Sequence, residues 1–160
     1  MRKKILIGLI VLLVLLQFFQ PPHNNGTAET TTDIAHVVPV PDSVMHLLKT
    51  SCYDCHSNRT NYPWYSKITP VNWWLNNHIK EGKKELNFSA FAKGSFRRKN
   101  KKLEETGKLV EKHEMPLDSY LWIHTEARLN QAQRKLIVDW THAAQMQVMK
   151  DSLQKRPVIK

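Results

Sequence analysis

A nearly unbroken apolar stretch near the N-terminus stands apart from the mixed pattern that follows it. Positions 5–19 are apolar except for Gly8 and Gln17, and they follow the basic residues at positions 2–4. A basic start and an apolar run together are typical of an export signal. The run is shorter than the ~20 apolar residues that cross a bilayer squarely, yet its character predicts a hydrophobic N-terminal helix.

Residues 1–19 are expected to remain on the protein as an anchor, because no small-residue cleavage site follows them directly. A Gln-Pro-Pro sequence occupies positions 20–22 instead. The alternative is a later cleavage site with Gly26 and Ala28 as its small residues, and cleavage there would give a soluble periplasmic protein. The basic N-terminus is expected to stay in the cytoplasm, which places the rest of the chain on the periplasmic side of the cytoplasmic membrane.

Positions 20–40 show no apolar periodicity and are rich in Pro, Thr, Asn and Gly. This composition predicts a flexible linker between the anchor and a folded domain. The domain is expected to span residues 41–153, with residues 154–160 as a tail. A stretch of about 110 residues is enough for one compact core.

Helical spacing of apolar positions predicts about four short helices in this domain. Asp42 or Ser43 can cap the first, which leads directly to Cys52. The second begins at the Thr-Pro step at positions 69–70. The apolar face consists of Val44, Leu47 and Leu48 in the first helix and of Val71, Trp74, Leu75, His78 and Ile79 in the second.

The third and fourth helices differ in apolar content. Residues 98–112 carry few apolar residues, which predicts shallow burial, and Gly107 predicts a break. The fourth helix begins at Asn130, where Gln133 completes a capping-box pattern. The apolar residues are Leu103, Leu109 and Val110 in the third helix and Leu136, Ile137, Trp140, Ala144 and Val148 in the fourth. Since no convincing strand pair is present, the predicted fold class is all-α.

The net charge of +10 is unevenly distributed. Between Lys80 and Lys102 there are nine basic and two acidic residues. The run either guides an acidic redox partner or anionic lipid to the domain, or forms a solvated face. The residues with most weight in this prediction are Lys93, Arg97, Arg98, Lys99, Lys101 and Lys102. No nucleic-acid motif accompanies them, so nucleic acid is not an expected partner.

The chemistry of the chain is concentrated in the sequence Cys52-Tyr53-Asp54-Cys55-His56. It has the C-x-x-C-H spacing of c-type haem attachment, in which two thiols bond the haem and the imidazole binds its iron. The motif lies behind an export signal and contains both cysteines of the chain. It predicts one covalent haem c, held through Cys52 and Cys55 with His56 as an iron ligand.

Two other uses of the cysteine pair are less consistent with the sequence. A thioredoxin-like dithiol normally belongs to a βαβ pattern, and the sequence shows none. Structural zinc requires four ligands, and no second cysteine pair or suitably spaced histidine pair completes a site. Haem attachment is therefore favoured over both.

Electron carriers usually supply the haem iron with a second protein ligand. Met115, followed by Pro116 between two predicted helices, is the expected ligand, although a methionine is often core filler. His78, on the helical face that carries Trp74, is the alternative. The remaining candidates, His113 and His124, are expected near the surface.

Aromatic residues crowd the segment after the motif. Trp64 and Trp74 are expected to line the haem pocket, because haem would be the largest apolar body in so small a domain. The alternative is an ordinary aromatic core. Pro63 or Pro70 could present the carbonyl that orients His56.

These features resemble the bacterial haem-binding domain family of small exported proteins with one C-x-x-C-H. The resemblance covers most of residues 41–144, and it implies a cytochrome c-like helical fold with haem c. It is carried by residues 51–58, 62–65, Trp73, Trp74, His78, Gly82, 86–89, 114–116 and 126–129 onward to Trp140. The Gly-Pro pair that ordinary cytochromes often place after the motif is absent.

Three functions follow from a haem c domain outside the cytoplasm. The leading hypothesis is a membrane-tethered electron carrier that cycles between Fe(III) and Fe(II), and not an enzyme. The second is a peroxidase-like haem enzyme with an open iron site. The third is a haem-based sensor or a subunit of a larger redox complex.

Overall fold

A computed structural model describes residues 1–154. The secondary-structure elements in this part of the chain are all helices, as the sequence predicts. The α-helices are α1 (Arg2–Leu16), α2 (Asp42–Ser51), α3 (Tyr53–His56), α4 (Val71–Glu85), α5 (Phe96–Glu111), α6 (Asp118–Leu121) and α7 (Gln131–Gln154). Short 3-10 helices occupy Ile34–His36, Trp64–Lys67, Phe88–Lys93 and Thr125–Ala127. An isolated bridge between Asn25 and Arg59 is the nearest approach to a strand in the described part of the chain. All of the predicted tail except Gln154 lies outside the described residues.

The core is built on the two longest helices, α5 and α7, which pack along each other. Leu103 and Val110 of α5 are buried, so the prediction of shallow burial is wrong. The predicted break at Gly107 is also wrong, because α5 is continuous through it. A Cβ atom at Gly107 would lie 2.6 Å from the Thr141 hydroxyl oxygen of α7. This glycine therefore permits close contact between two helices.

The start of α7 confirms the predicted capping box. The Gln133 N–H donates to Asn130 Oδ1, and the Asn130 N–H donates to Gln133 Oε1, both at 2.9 Å. Of the predicted apolar face, Leu136 is exposed, because the buried face of α7 is centred on Ile137. The other members of the face, Ile137, Trp140, Ala144 and Val148, are buried.

Helix α2 directs the chain to the cysteine motif. Its three predicted apolar residues, at positions 44, 47 and 48, are buried in the same core as α5 and α7. The expected cap by Asp42 or Ser43 is not present. Asp42 is already helical, and Pro41 precedes it without a side-chain cap bond.

Helix α4 confirms the predicted start after Pro70, but only part of the predicted face is buried. Leu75 and Ile79 are buried, whereas Val71 and Trp74 are exposed. The buried face is shifted towards Asn72, whose side chain donates to the Thr69 hydroxyl at 2.9 Å. The spacing of apolar residues did not predict this shift, because the residue at the centre of the buried face, Asn72, is polar.

The segment at 20–40 is not the free linker that its composition predicts. Ile34 and Val38 are buried in the main core. Asp33, also buried, accepts a hydrogen bond of 3.1 Å from the Tyr53 hydroxyl, and Pro39 O accepts one of 3.1 Å from the indole of Trp140. A 3-10 helix of three residues is too short to show periodicity, which explains why the sequence pattern missed these contacts.

The N-terminal apolar stretch forms α1, whose apolar side chains are exposed. Just after it, Gln17 bonds the backbone of Thr69 twice, accepting from the N–H at 3.0 Å and donating to the carbonyl at 3.1 Å. Over residues 1–154, no helix combines the length and the apolar character needed to span a membrane. The anchor role of residues 1–19 therefore stays a prediction.

Candidate functional site

The cysteine motif lies at the junction of α2 and α3, where one helical turn brings its three reactive side chains together. The N–H groups of Cys55 and His56 both donate to Cys52 O, at 3.2 and 2.9 Å. Cys52, Cys55 and His56 all line one cavity beside this turn. The local hydrogen bonds thus place two thiols and an imidazole at one wall.

The other two residues of the motif hold the turn in place. The Tyr53 hydroxyl donates to Asp33, which ties the turn to the N-terminal segment. The Asp54 carboxylate accepts the N–H of Asn61 at 3.0 Å and the hydroxyl of Tyr120 at 2.8 Å. The motif is therefore fastened to three separate segments of the chain.

Both thiols are protonated at neutral pH. Burial raises the pKa of Cys52 to about 12 and that of Cys55 to about 11. Dithiol redox motifs and structural zinc sites use thiolates, and redox motifs depend on a lowered thiol pKa. Among residues 1–154, no three His, Cys, Asp or Glu side chains are grouped so as to hold a metal ion. These two thiols therefore lack the lowered pKa on which a redox dithiol depends.

The imidazole of His56 is oriented by a backbone carbonyl. Its Nδ1 donates to Leu86 O at 3.0 Å, which leaves the lone pair on Nε2. Burial holds the pKa of His56 below its usual value, so the ring is a neutral imidazole at pH 7. Neither Pro63 nor Pro70 supplies this carbonyl, so that prediction is wrong. The acceptor follows the end of α4, thirty positions along the chain.

Gly82 allows α4 to approach the motif closely enough for that hydrogen bond. A Cβ atom at this position would lie 2.9 Å from Cys55 O and 3.2 Å from Cys55 Cβ. Real Cβ atoms are almost never found under 3.0 Å from another heavy atom. Gly82 is therefore a positioning residue for the turn, although it has no side chain to offer.

Two neighbouring cavities adjoin the motif, and both are lined by Cys52, His56 and Met115. The His78 cavity measures about 290 Å³ and is also lined by Cys55, His78 and Tyr120. The Val110 cavity measures about 170 Å³ and is also lined by the apolar residues Leu86, Phe88, Leu109 and Val110, with the charged residues Glu85, Lys102 and Glu105 beside them. The His78 cavity is close to the lower end of the ~300–1,000 Å³ that cofactor pockets occupy, and the Val110 cavity is smaller. The fit to a haem rests on the donor set, because two thiols and a neutral imidazole at one wall are the groups that c-type attachment uses.

Of the four candidates for a second iron ligand, two line the cavities beside the motif and two do not. Met115 lines both cavities, and His78 lines the first. His78 Nδ1 donates to Trp74 O at 2.9 Å, which leaves its Nε2 lone pair available. His113 is exposed, and His124 is held by Tyr65 and Glu126 outside both cavities. Met115 and His78 therefore both remain candidates.

Trp64 and Trp74, the predicted pocket walls, line neither cavity. They lie in a more open aromatic groove of about 570 Å³, which adjoins the His78 cavity through Cys55, His78 and Tyr120. Both indole rings are largely exposed there. Their assignment to the cofactor pocket remains a prediction.

Some residues around the site are not indicated by the sequence pattern. Leu86 acts through its carbonyl, and Tyr120 reaches Asp54 from the far side of the His78 cavity. Lys102 lies at the edge of the Val110 cavity, where it donates to Glu85 at 3.0 Å and to Glu105 at 2.7 Å. Of these contacts, the sequence indicates only the pair Lys102 and Glu105, because residues three positions apart on a helix are neighbours.

Comparison with known proteins gives one match. The family model described as Haem-binding domain matches residues 11–143, which include the motif, both cavities and about the first half of α7. No curated protein and no solved structure matches the chain.

Proposed function

The chain belongs to the haem-binding domain family, and from that premise we propose that it holds one haem c covalently and works as an electron carrier. Cys52 and Cys55 supply the two thioether sulfurs. The observation that carries this proposal is the placement of both thiols and the neutral His56 ring at the wall of one cavity. The proposed domain has a cytochrome c-like arrangement, with the motif after α2 and Met115 before α7.

Each residue of the site has a distinct task in this proposal. His56 offers Nε2 to the iron, because its Nδ1 proton is engaged by Leu86 O. Met115 is the second ligand, with His78 as the alternative, since both line the cavity that holds the motif. Asp54 and Tyr120 keep the turn rigid, which limits reorganisation around the iron.

Bound haem c supplies an iron that changes between Fe(III) and Fe(II) without leaving the protein. Thioether formation would leave no free thiol at Cys52 or Cys55, and His56 together with Met115 or His78 would give the iron two protein ligands. A low-spin, six-coordinate optical spectrum is therefore expected. A high-spin iron that binds carbon monoxide readily would favour the haem enzyme or sensor instead.

Covalent attachment is tested by producing the protein with a cytochrome c maturation system. The haem should stay with the polypeptide through acid–acetone extraction. Because the chain has two cysteines, the denatured holoprotein should contain no thiol that can be alkylated. Cys52→Ser combined with Cys55→Ser should abolish retention.

His56→Ala is the matched control for this experiment. It removes the proposed iron ligand and leaves both thiols, so the haem should remain attached while its spectrum becomes high-spin. Haem that is extracted by acid–acetone from the parent protein, together with two alkylatable thiols, would contradict covalent attachment.

The proposed location is the periplasmic side of the cytoplasmic membrane, with residues 1–19 as the export and membrane-association segment. A basic start before the apolar helix α1 supports this orientation. Mature protein should retain residue 1 and sediment with membranes. A soluble form that begins near Glu29 would show that the later cleavage site is used.

The proposed partner is an acidic redox protein that docks at the basic run. Five basic residues, Lys83, Lys93, Arg98, Lys99 and Lys102, line a basic cavity of about 420 Å³, with Glu85 as the one carboxylate among the described lining residues. Leu86 and Lys102 also line the Val110 cavity. Docking there would bring a partner close to the proposed haem site.

A further inference from the structure

The tryptophans of this chain are distributed unusually between core and surface. Of five tryptophans, only Trp140 is buried, while Trp64 and Trp122 are 72% and 77% exposed. Trp73 and Trp74 are 41% and 46% exposed. Tryptophan has a large apolar ring with one polar N–H, and it is found on average in largely buried positions. Four exposed tryptophans are therefore more than a domain of this size needs for its own core, and they mark a candidate contact surface.

Three of these rings share the aromatic groove beside the proposed haem site. Trp64, Trp74 and Trp122 line it together with Val71, Leu117 and Ile123, which are also exposed. None of the described residues that line the groove is charged. The groove is therefore apolar but carries indole N–H groups, hydroxyls and an imidazole at its surface.

The groove is continuous with the attachment point of α1. Pro70 and Val71 line the groove, and the adjacent Thr69 is bonded twice to Gln17 at the end of α1. On the same side, Trp73 Nε1 donates to Phe19 O at 2.8 Å. Gln17 and Phe19, which directly follow α1, are thus fastened to the segment 69–73 that begins beside the groove.

We propose that the aromatic groove lies on the membrane, with its indole rings in the boundary between lipid headgroups and acyl chains. This inference rests on the proposed membrane association of residues 1–19, and it assigns Trp64 and Trp74 to the lipid interface in place of the cofactor pocket. Tryptophan favours that boundary, because its apolar body and polar N–H match the two sides of it. Lipid covers α1 and the groove as one continuous surface, and the proposed haem site faces the membrane through Cys55 and Tyr120.

Charge separates this surface from the proposed docking site for a protein partner. An acidic protein is attracted by the basic cavity, whereas the groove offers no charged side chain among its described residues. A zwitterionic lipid interface needs no such charge. The groove and the basic cavity therefore serve different partners.

The test uses the full-length, haem-loaded protein with phosphatidylcholine vesicles. Amide hydrogen exchange should slow over residues 63–74 and 117–124 when vesicles are added. The variant Trp64→Ser combined with Trp122→Ser should partition about tenfold less, equal to about 1.4 kcal/mol. The loss should persist at ~1 M salt, where the Debye length is ~3 Å, because the groove acts through apolar contact. Both side chains are exposed, so the variant should fold.

Met146→Ser combined with Met149→Ser is the matched control, because these two apolar side chains are also exposed on α7 and do not line the groove. This variant should partition like the parent, and residues 143–153 should exchange at an unchanged rate. If the parent binds vesicles but the groove gains no protection, lipid does not cover it and the inference is wrong, while membrane association stands. If the full-length parent does not bind vesicles at all, both are wrong.

Discussion

At the scale of single residues, the proposed iron site depends on which side chain lies across the cavity from His56. Met115 and His78 both line that cavity, and they have different chemical consequences. A thioether ligand raises the reduction potential relative to a second imidazole. The identity of this ligand is therefore the residue-level question with the largest effect on function.

We expect Met115→Ala to abolish the weak near-infrared band between sulfur and ferric iron and to turn the iron high-spin. The expectation follows from the position of Met115 at both cavities. Optical and near-infrared spectra of the parent and the variant provide the measurement. If the parent lacks the band and His78→Ala alone gives high-spin iron, His78 is the ligand.

Asp33 gives a second residue-level prediction, concerning stability and pH. Burial raises the pKa of its carboxyl, although hydrogen bonds from Ala35 and Tyr53 oppose the shift. A raised folded-state pKa means that the folded protein binds the proton more tightly than the unfolded chain. The resulting stability is complete below the unfolded pKa of ~3.9 and is lost as pH rises through the folded pKa.

Asp33→Asn should remove this loss, since the amide oxygen can still accept from the Ala35 N–H. The free energies of unfolding of parent and variant, measured by denaturant titration, should diverge in favour of the variant between pH 4 and pH 7. Tyr53→Phe should raise the pKa of Asp33 further, because it removes a hydrogen-bond donor to the carboxylate. The loss of stability with rising pH should therefore be larger in Tyr53→Phe than in the parent. Equal pH profiles for all three proteins would contradict the prediction.

At the scale of secondary-structure elements, the contact between α5 and α7 determines the shape of the core. Gly107 lies where the two helices approach, and a Cβ atom there would meet Thr141 Oγ1 at 2.6 Å. In an exposed helix, replacing glycine by alanine stabilises by ~1 kcal/mol. Overpacking in a core instead costs ~1–3 kcal/mol. At position 107, the gain in helix propensity and the cost of overpacking have opposite signs.

Gly107→Ala should destabilise the parent, because Thr141 is buried and has little room to move. In the background of Thr141→Ala, which removes the clashing hydroxyl, the same substitution should be neutral or stabilising by up to ~1 kcal/mol. Thermal or denaturant unfolding of the four proteins in this cycle measures the difference. The same cost in both backgrounds would show that the clash is not the cause.

At the scale of the whole molecule, charge and apolar surface are concentrated on different features. Five of the nine basic residues from 80 to 102 line the basic cavity, whereas three of the four exposed tryptophans line the aromatic groove. Two residues of the predicted docking set are paired with carboxylates: Lys102 with Glu85 and Glu105, and Lys101 with Glu105. The charge available to a partner therefore comes mainly from the rest of the set.

Reversing charge at Arg97, Arg98 and Lys99 to Glu should slow association with an acidic redox partner and weaken its salt dependence. Exposed charges act mainly on association rate, and their reach is ~8 Å at 0.15 M salt. The reduction potential should change little. Stopped-flow electron transfer at several salt concentrations provides the measurement.

The control reverses the same number of charges at exposed lysines outside the run, namely Lys112, Lys135 and Lys150. It matches the change in net charge without altering the basic cavity. An equal loss of rate in both variants would mean that total charge, and not this surface, guides the partner. An unchanged rate and salt slope in the first variant would leave the run as a solvated face.

The sequence by itself determined the features that depend on neighbours along the chain. The spacing of Cys52, Cys55 and His56 within one turn identified the candidate site, and the pair Asn130 and Gln133 identified the start of α7. Helical periodicity located α2 and α4. Such features follow from backbone geometry over a few residues, which is why pattern and spacing are sufficient.

Only the tertiary structure decided which distant groups meet. His56 is oriented by Leu86 O because Gly82 lets α4 approach α3, and Ile34 enters the core although no periodic pattern surrounds it. The exposure of Trp64 and Trp122 likewise depends on how separate segments fold around the groove. These outcomes come from contacts between residues far apart in sequence, and local spacing carries no information about them.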